Sequence, residues 1–285
     1  MSPRMSSLPI GFEEDEDLRS SFMRELIALQ SKQVAVSPDS ERLLDGAIPL
    51  HLIQYWHDER EVPEDVRKCI NSWRRLRLQG FRFSMFNDAS AATYIAGRFT
   101  SDECTAFTRC HHPAMRCDYL RICVLLAEGG LYVDADDVLI GEGWRHLFHD
   151  GTMKVQPLCY DIPTGAMLPA GEAWRDPVPA RQRIFYVNND PIVAPPGHPV
   201  LRKALARATE RLLGCDSQLE IQSTTGPGNL TAVLAAHARN LMSAGRDQDY
   251  EILLNWDSIA ETKWELSYRD DSRNWRNIPA RGDGP

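Results

Sequence analysis

Nowhere in the 285 residues is there an apolar run long enough to span a membrane. The opening stretch, MSPRMSSLPIGFEEDEDL, has no apolar signal-peptide region either. These two absences give the expectation of a cytoplasmic location, with a secreted effector as the alternative. Positive charge is not in excess: 32 Lys and Arg stand against 40 Asp and Glu, a net charge of -8, which argues against a general nucleic-acid binder. The 7 cysteines follow no C-x₂-C spacing. A zinc site built from Cys104, Cys110, His111, His112 and Cys117 is therefore disfavoured, and reduced thiols are expected. No internal repeat stands out.

What is present is an ordinary globular balance, 43% hydrophobic and 25% charged, enough for one large α/β domain. The chain is organised around residues 118 to 137. From about Pro113 to Glu128 it reads as a helix that is apolar almost all round, and hence buried. Yet Asp118 and Arg121 lie one turn apart in it, and a buried charge is costly unless it is paired or used. Gly129-Gly130 then turns the chain into a short strand, Leu131-Tyr-Val133, which ends in Asp134, Asp136 and Asp137. Carboxylates at the C-terminal end of a strand are where an open α/β sheet places ligand chemistry. Hard oxygen donors in one tight loop suit Mg²⁺ or Mn²⁺, particularly when a phosphate completes the shell.

Taken in order, residues 1 to about 17 are polar and acidic and are expected to lack structure. Leu18 to about Val34 reads as a helix with Leu18, Phe22, Leu26 and Leu29 on one face. Ser37-Pro-Asp-Ser40 breaks it off. Ile48 to Trp56 is a strand. Pro63 opens a helix that Gly80 ends, Phe81 to Phe86 is a second strand, and Asn87 to Ser90 cap the following helix. After the central stretch, Trp144, Leu147 and Phe148 suggest a helix. Residues 151 to 182 read as an irregular insertion near a site. Ile184-Phe-Tyr-Val187 is a strand ending in Asn188-Asn-Asp-Pro191. A helix from about Val200 to Leu213 follows, and Thr224 to Asn229 form a small-residue loop whose exposed N–H groups suit an anion at the start of the next helix. A strand at 250–254 precedes a Trp-rich tail. The expected division is an acidic tail and helix at 1–47 and one domain at 48–285.

The central stretch, Arg116-Cys-Asp-Tyr-Leu-Arg121 with Leu125-Leu-Ala-Glu-Gly-Gly-Leu-Tyr-Val-Asp-Ala-Asp136, resembles the DXD-type sugar-transferase families, whose pattern is RaDllRy…LyexGGiYlDtD. These include fungal initiating mannosyltransferases, bacterial capsular-polysaccharide sugar transferases and the catalytic domains of large glucosylating toxins. Ile48-Pro-Leu-His-Leu-Ile-Gln-Tyr-Trp56 with Pro63 looks like the family's IPKxIHQxW opening. Ser72-Trp73, Phe83 to Asp88, Asn188-Asn189 with Ala194-Pro-Pro-Gly-His-Pro199, and Thr225-Gly-Pro227 match further segments in order.

The resemblance implies a GT-A fold: a Rossmann-like mixed α/β sheet flanked by helices, here one domain with an N-terminal helix and the irregular insertion. It implies a metal-dependent, retaining glycosyltransferase that moves a hexose or N-acetylhexosamine from a UDP- or GDP-sugar. The acceptor would be a glycan, a lipid-linked sugar, a small molecule or a protein. Asp134, Asp136, Arg121 and Asp118 would be catalytic. Trp56, Gln54, Tyr55, Asp118, Arg121, Asp134, Asn188, Asn189 and Trp275 would hold the donor, with Trp56 against the base. Asp136, Asp134 and Asp271 would hold Mn²⁺ or Mg²⁺. The chain departs from the pattern at Cys117, where relatives often have Ala, and in the tail. No His follows His237, so Asp271 to Trp275 is the candidate lid. Two other readings compete. One is a nucleotide-sugar-binding protein without turnover. The other is a haloacid-dehalogenase-type phosphatase using Asp134 and Asp136, disfavoured because two βα units precede the motif and Lys is scarce beyond it.

Overall fold

Leu52 and Ile53 are neighbours in the chain and belong to opposite cores. In a strand successive side chains point to opposite faces, so a sheet whose residues are buried on both sides must be covered twice. The protein, seen in a computed structural model, is described for residues 5, 8–34, 46–176, 178–214 and 219–277. Its elements in order are α1 (Glu16–Val34), β1 (His51–Tyr55), α2 (Glu64–Arg74), β2 (Arg82–Phe86), α3 (Asp88–Ala96), α4 (Ser101–Arg109), α5 (Pro113–Glu128), β3 (Gly130–Tyr132), β4 (Asp137–Leu139), β5 (Met153–Asp161), β6 (Ala166–Leu168), α6 (Ala170–Ala173), β7 (Arg183–Ala194), α7 (Pro199–Gly214), α8 (Ile221–Thr224), α9 (Pro227–Ser243), β8 (Tyr250–Ile252) and β9 (Ala260–Thr262).

The main sheet has seven strands in the order β2-β1-β3-β7-β5-β6, with β8 added beside β5. The β2-β1-β3 part is parallel; β7 runs antiparallel to β3 and to β5. This is a mixed, Rossmann-like sheet flanked by helices, the architecture that the resemblance implied. One face packs under α1, α5, α7 and α9, with Ile53, Tyr132, Ile192 and Ala194 pointing into it. The other face carries Leu52, Leu131, Val133 and Val193 into a cluster with Trp73, Trp144 and Trp256.

Most elements lie where the sequence placed them, and the differences have local reasons. Residues 151–182 are not an irregular insertion: β5 and β6 come from them. Met153, Lys154 and Val155 are buried in succession, so no alternation betrays the strand. The Lys154 ammonium is kept there by Asp150 Oδ1 at 2.5 Å. Asn188 to Pro191 do not end a strand, because β7 continues through them to Ala194. The register runs Pro157↔Val187 and then Val155↔Ile192, so residues 188–191 stand against Gln156 alone and bulge out of the ladder. The first 17 residues are partly ordered, since Phe12 is buried against Phe22 at 5.1 Å between ring centroids. Residues 143–148 form a 3₁₀ turn rather than an α-helix, and α4 was not foreseen. The Ser37–Ser40 break lies outside the described residues.

Candidate active site

The strand-to-loop step at Asp134 is set up by two glycines. Gly129 (φ 67°) and Gly130 (φ 122°) join α5 to β3 in a conformation that L side chains rarely adopt. A Cβ on Gly130 would lie 2.3 Å from the His51 carbonyl, and one on Gly129 would lie 2.7 Å from Pro196 Cδ. The pair therefore lets β3 thread between β1 and β7 with α5 packed close behind. Val133 N–H continues the ladder to Ile53 O at 3.2 Å. Asp137 N–H then turns back to Asp134 O at 3.3 Å, which places Asp134 and Asp136 on one tight loop. The Ser72-Trp73 pair on α2 clamps the start of β4: Trp73 Nε1–H donates to Asp137 O at 3.0 Å and Leu139 N–H to Ser72 Oγ at 2.9 Å.

Asp134 is gripped from every side. Arg121 Nη2 donates to its Oδ1 at 2.9 Å and Tyr132 OH to the same oxygen at 2.8 Å. Its backbone N–H donates to Asp190 Oδ1 at 2.9 Å and its carbonyl accepts from Gln54 Nε2 at 3.2 Å. One third of the Asp134 side chain remains exposed, at 33%. Arg121 lies over the Tyr132 ring at 4.1 Å and donates through Nη1 to Asn189 O at 2.6 Å. Asp118 pairs with Arg121 at 3.2 Å, accepts from Asn189 Nδ2 at 2.8 Å, and accepts from Thr225 Oγ1 at 3.3 Å. The buried charges in α5 thus form one network tying α5, β3, β7 and the start of α9 together.

Burial pushes the Asp118 carboxyl up to about 6 against the opposing pull of Arg121. Burial also works against the Arg121 cation, but Asp134 and its neighbours overcome this and hold it well above its ordinary value. Asp136 is raised by burial and then by Asp134. Asp137 lies deeper, fully buried, and burial followed by Asp136 pushes it up to about 7. Asp190 is raised well above the carboxylate range by burial, then by Asp137 and Asp134. Arg121 beside Asp118 and Asp134, and Arg269 beside Asp136, offset part of this crowding of acids.

These groups open into a cavity of about 1240 Å³. Trp56, Tyr55, Asp118, Arg121, Asp134, Asp136, Asn188, Asn189 and Asp190 all line it. Trp56 Nε1 and Arg121 Nε are buried there without a hydrogen-bond partner among the described residues. Tyr55 OH is bonded to Asp88, which Arg116 Nε also holds at 2.8 Å. Gln54 does not line the cavity, and its amide supports the Asp134 carbonyl from behind. Asp271 is not brought to the other carboxylates either: it is paired with Arg273 at 2.6 Å and lies outside the lining. The Trp275 side chain lies outside the described residues. The small-residue loop at 224–229 is not an open anion cradle. Thr225 and Gly226 are buried, and their N–H groups already bond to Ile221 O.

The tail contributes residues that spacing did not reveal. Tyr268 OH donates to Asp136 Oδ2 at 2.7 Å, and the Arg269 guanidinium is ion-paired with the same oxygen. Tyr268 also meets the Trp56 ring edge-on at 5.2 Å. Arg269, Arg273 and Arg276 all line the cavity. Nothing in the pattern of the tail marks Arg269, because its partner is 133 residues away. His112 is structural: it caps α5 through Ala114 N–H at 3.1 Å and its Nε2 meets Ser272 O at 3.1 Å.

Whether a divalent ion fits can be judged from the donors. Among the described residues no group of three or more His, Cys, Asp or Glu could hold a metal ion. Asp134 and Asp136 supply two adjacent carboxylates facing the cavity, each with one oxygen already hydrogen-bonded. That set suits an ion that takes one or two protein carboxylates and completes its shell with phosphate and water. It does not suit an all-protein cage. Cys104, Cys110 and Cys117 are free thiols.

Residues 63–145 match the family model described as glycosyltransferase sugar-binding region containing DXD motif. The match spans α2 to the 3₁₀ turn after β4 and contains Asp118, Arg121, Asp134 and Asp136. No curated protein matches the chain. A solved structure described as "PaToxG Glycosyltransferase" is similar at a TM-score of 0.39 and 15% sequence identity, covering 91% of this chain and 96% of that chain. A likeness that low carries no argument.

Proposed function

We propose, for a chain whose residues 63–145 place it with the DXD-containing glycosyltransferases, that it is a metal-dependent, retaining hexosyltransferase using a UDP- or GDP-sugar. The observation that carries this reading is the shape of one cavity. Asp134 and Asp136 face into it from the end of β3, Trp56 lines the β1 side, and Arg121 and Asn189 close the β7 side. In this reading Trp56 lies against the nucleobase, and its unpartnered Nε1 is free to donate. Asp134 and Asp136 would hold the divalent ion, which supplies charge neutralisation for the departing nucleoside diphosphate.

The chain's own groups do the rest. Arg121, locked by Asp118, Asn189 and Asp134, fixes the angle of Asp134 and adds positive potential beside the leaving group. Asn188, bulged out of β7, presents its amide at the sugar, and Asn189, whose Nδ2 is held by Asp118, offers its Oδ1. Arg269, Arg273 and Arg276 add cationic charge on the tail side of the cavity. The chain would divide into an acidic tail and helix at residues 1–47 and one catalytic domain at residues 48–285, with α1 packed on that domain.

The test is a donor screen by thermal shift with Mn²⁺ across UDP- and GDP-sugars, followed by Asp136→Ala. Wild-type protein should be stabilised by one donor class and should hydrolyse it slowly. Asp136→Ala should lose Mn²⁺-dependent stabilisation and at least about 100-fold in turnover, the scale of removing one preorganised electrostatic contact. Near-normal kinetics in Asp136→Ala would remove the metal assignment. Donor binding without turnover in the wild type would favour a binding protein.

A further inference from the structure

The cavity has two chemically different sides. Along β7 alternate residues share a face, so Ile184, Tyr186 and Asn188 point the same way. Asn188 and Tyr186 both line the cavity that holds Asp134. Strand pairing continues that face sideways: Leu158 lies opposite Tyr186, Tyr160 opposite Ile184, and Met167 opposite Tyr160. Tyr186 OH reaches Met167 Sδ at 3.6 Å, which confirms the common face. The result is a continuous apolar surface beginning beside Asn188 and running out over β5 and β6.

Among the described residues this surface is only partly covered, with Leu158, Ile184 and Tyr186 half-buried. None of Leu158, Tyr160, Met167, Ile184 and Tyr186 belongs to the three core clusters among the described residues. Tyr160 is 36% exposed and Met167 38%, and Ile162 at the hairpin end is 47% exposed. Large apolar side chains gathered on one exposed sheet face mark a contact site. The sheet order also says which ligand they would meet. Trp56 follows β1, Asp134 follows β3, and β7, β5 and β6 come after in space. With strands about 4.8 Å apart, β5 lies roughly 14 Å across the sheet from β1. A donor seated with its base at Trp56 and its sugar at Asp134 and Asn188 leaves β5 and β6 beyond the sugar, where the acceptor must enter.

Among the described residues the polar groups on that face are Gln156 and the Tyr160 and Tyr186 hydroxyls, with Arg276 beside Tyr186. Gln156 bonds to Asp257 at 3.4 Å, and the Tyr186 hydroxyl is turned to Met167. A glycan acceptor would lose the hydration of many hydroxyls and find little to replace it. An alkyl or aromatic body would bury apolar area against Leu158, Met167 and Tyr186. We infer that this face is the acceptor subsite, and that the acceptor is a hydroxyl-bearing molecule with a hydrophobic body. The inference rests on the proposed transferase activity.

The experiment is isothermal titration of the full chain, with UDP or GDP and Mn²⁺ present, against methyl β-glucoside, octyl β-glucoside below its micelle concentration, and maltotriose. Octyl β-glucoside should bind at least tenfold tighter than methyl β-glucoside. Met167→Ser, an exposed position that leaves the fold intact, and Leu158→Ser should each cut that preference severalfold, with circular dichroism reporting folding. Equal affinity for the two glucosides, no detectable binding of the octyl compound, tighter binding of maltotriose, or a preference that persists in both variants would each overturn the inference. Failure of the wild type to bind either UDP or GDP, read in the same titration, would instead strike the transferase reading.

Discussion

Arg121 and Arg269 put two guanidinium groups on two adjacent carboxylates, and the two pairs do different work. Arg121 is fixed on the helix α5, with its side chain 4% exposed, and is held by four partners: Asp118, Asn189, Cys117 and Asp134. It belongs to the scaffold of Asp134. Arg269 comes from the tail, lies over the Trp264 ring at 4.6 Å, and neutralises Asp136 in a place where a divalent ion would also be drawn. In the proposed metal role two cations would compete for one buried carboxylate, and the Arg269 side chain would yield to the ion. Arg269→Ala should therefore tighten Mn²⁺ binding to the nucleotide-free protein, by about tenfold if one charge-assisted bond of ~1.4 kcal/mol is released. Calorimetric titration of Mn²⁺ into both proteins checks it. An unchanged or weaker Mn²⁺ affinity in Arg269→Ala would mean that the two cations do not compete.

At the scale of the element, β1 and β2 are joined by more than their ladder. His51 lies opposite Arg82 in the parallel register. Arg82 can only donate, so its Nη2 contact at 2.8 Å requires an unprotonated His51 Nδ1, and Nε2–H then donates to Ser84 Oγ at 2.8 Å. Burial, and next Arg82, push the His51 imidazole down to about 4. Its folded value lies below the unfolded one near 6.5. Its contribution to stability is thus complete above pH 6.5 and is lost as pH falls through the window to about 4. In urea denaturation, the fall in stability from pH 7.5 to pH 5 should be smaller in His51→Gln than in the wild type by about 1–2 kcal/mol, less than the full shift because its partner Arg82 is exposed to solvent screening. Identical pH dependence in the two proteins would show that His51 titrates normally.

The same scale separates what sequence could announce from what it could not. α5, the Gly129-Gly130 turn and β3 are legible because their signals are local: an apolar helix, φ values open to glycine, and a short apolar strand. The capping box of Asn87 and Ser90 is legible for the same reason. β5 is not, because its central residues are buried on both faces and include Pro157 and Lys154. The run 188–191 looked like a turn, and its composition suits one. The pairing of β7 with β5 before the run, and with β3 and β5 after it, keeps it in the sheet as a bulge.

For the whole molecule, α1 is part of the core rather than an appendage. Phe22, Met23, Leu26 and Ile27 are almost completely buried, in the same cluster as α5, α7 and α9. Glu14, just before it, pairs with Arg207 at 2.8 Å and Arg211 at 3.1 Å on α7. Leu26→Ala should cost about 2–5 kcal/mol, the range for emptying a packed leucine site. Urea denaturation followed by tryptophan fluorescence measures it. A loss under about 0.5 kcal/mol, the scale of a surface substitution, would detach α1 from the folding unit.

Sequence alone determined the frame of this protein: a βα order, a buried charged helix, a glycine hinge, and a strand ending in two aspartates. Those elements come from periodicity, φ preference and the cost of burying charge, which act over a few residues. Only the tertiary structure decided which groups meet. Asp118 with Asn189 and Thr225, Asp134 with Asp190 and Gln54, and Asp136 with Tyr268 and Arg269 are contacts between distant segments. They depend on sheet order, on the bulge in β7, and on where the tail returns, and no local spacing encodes any of these.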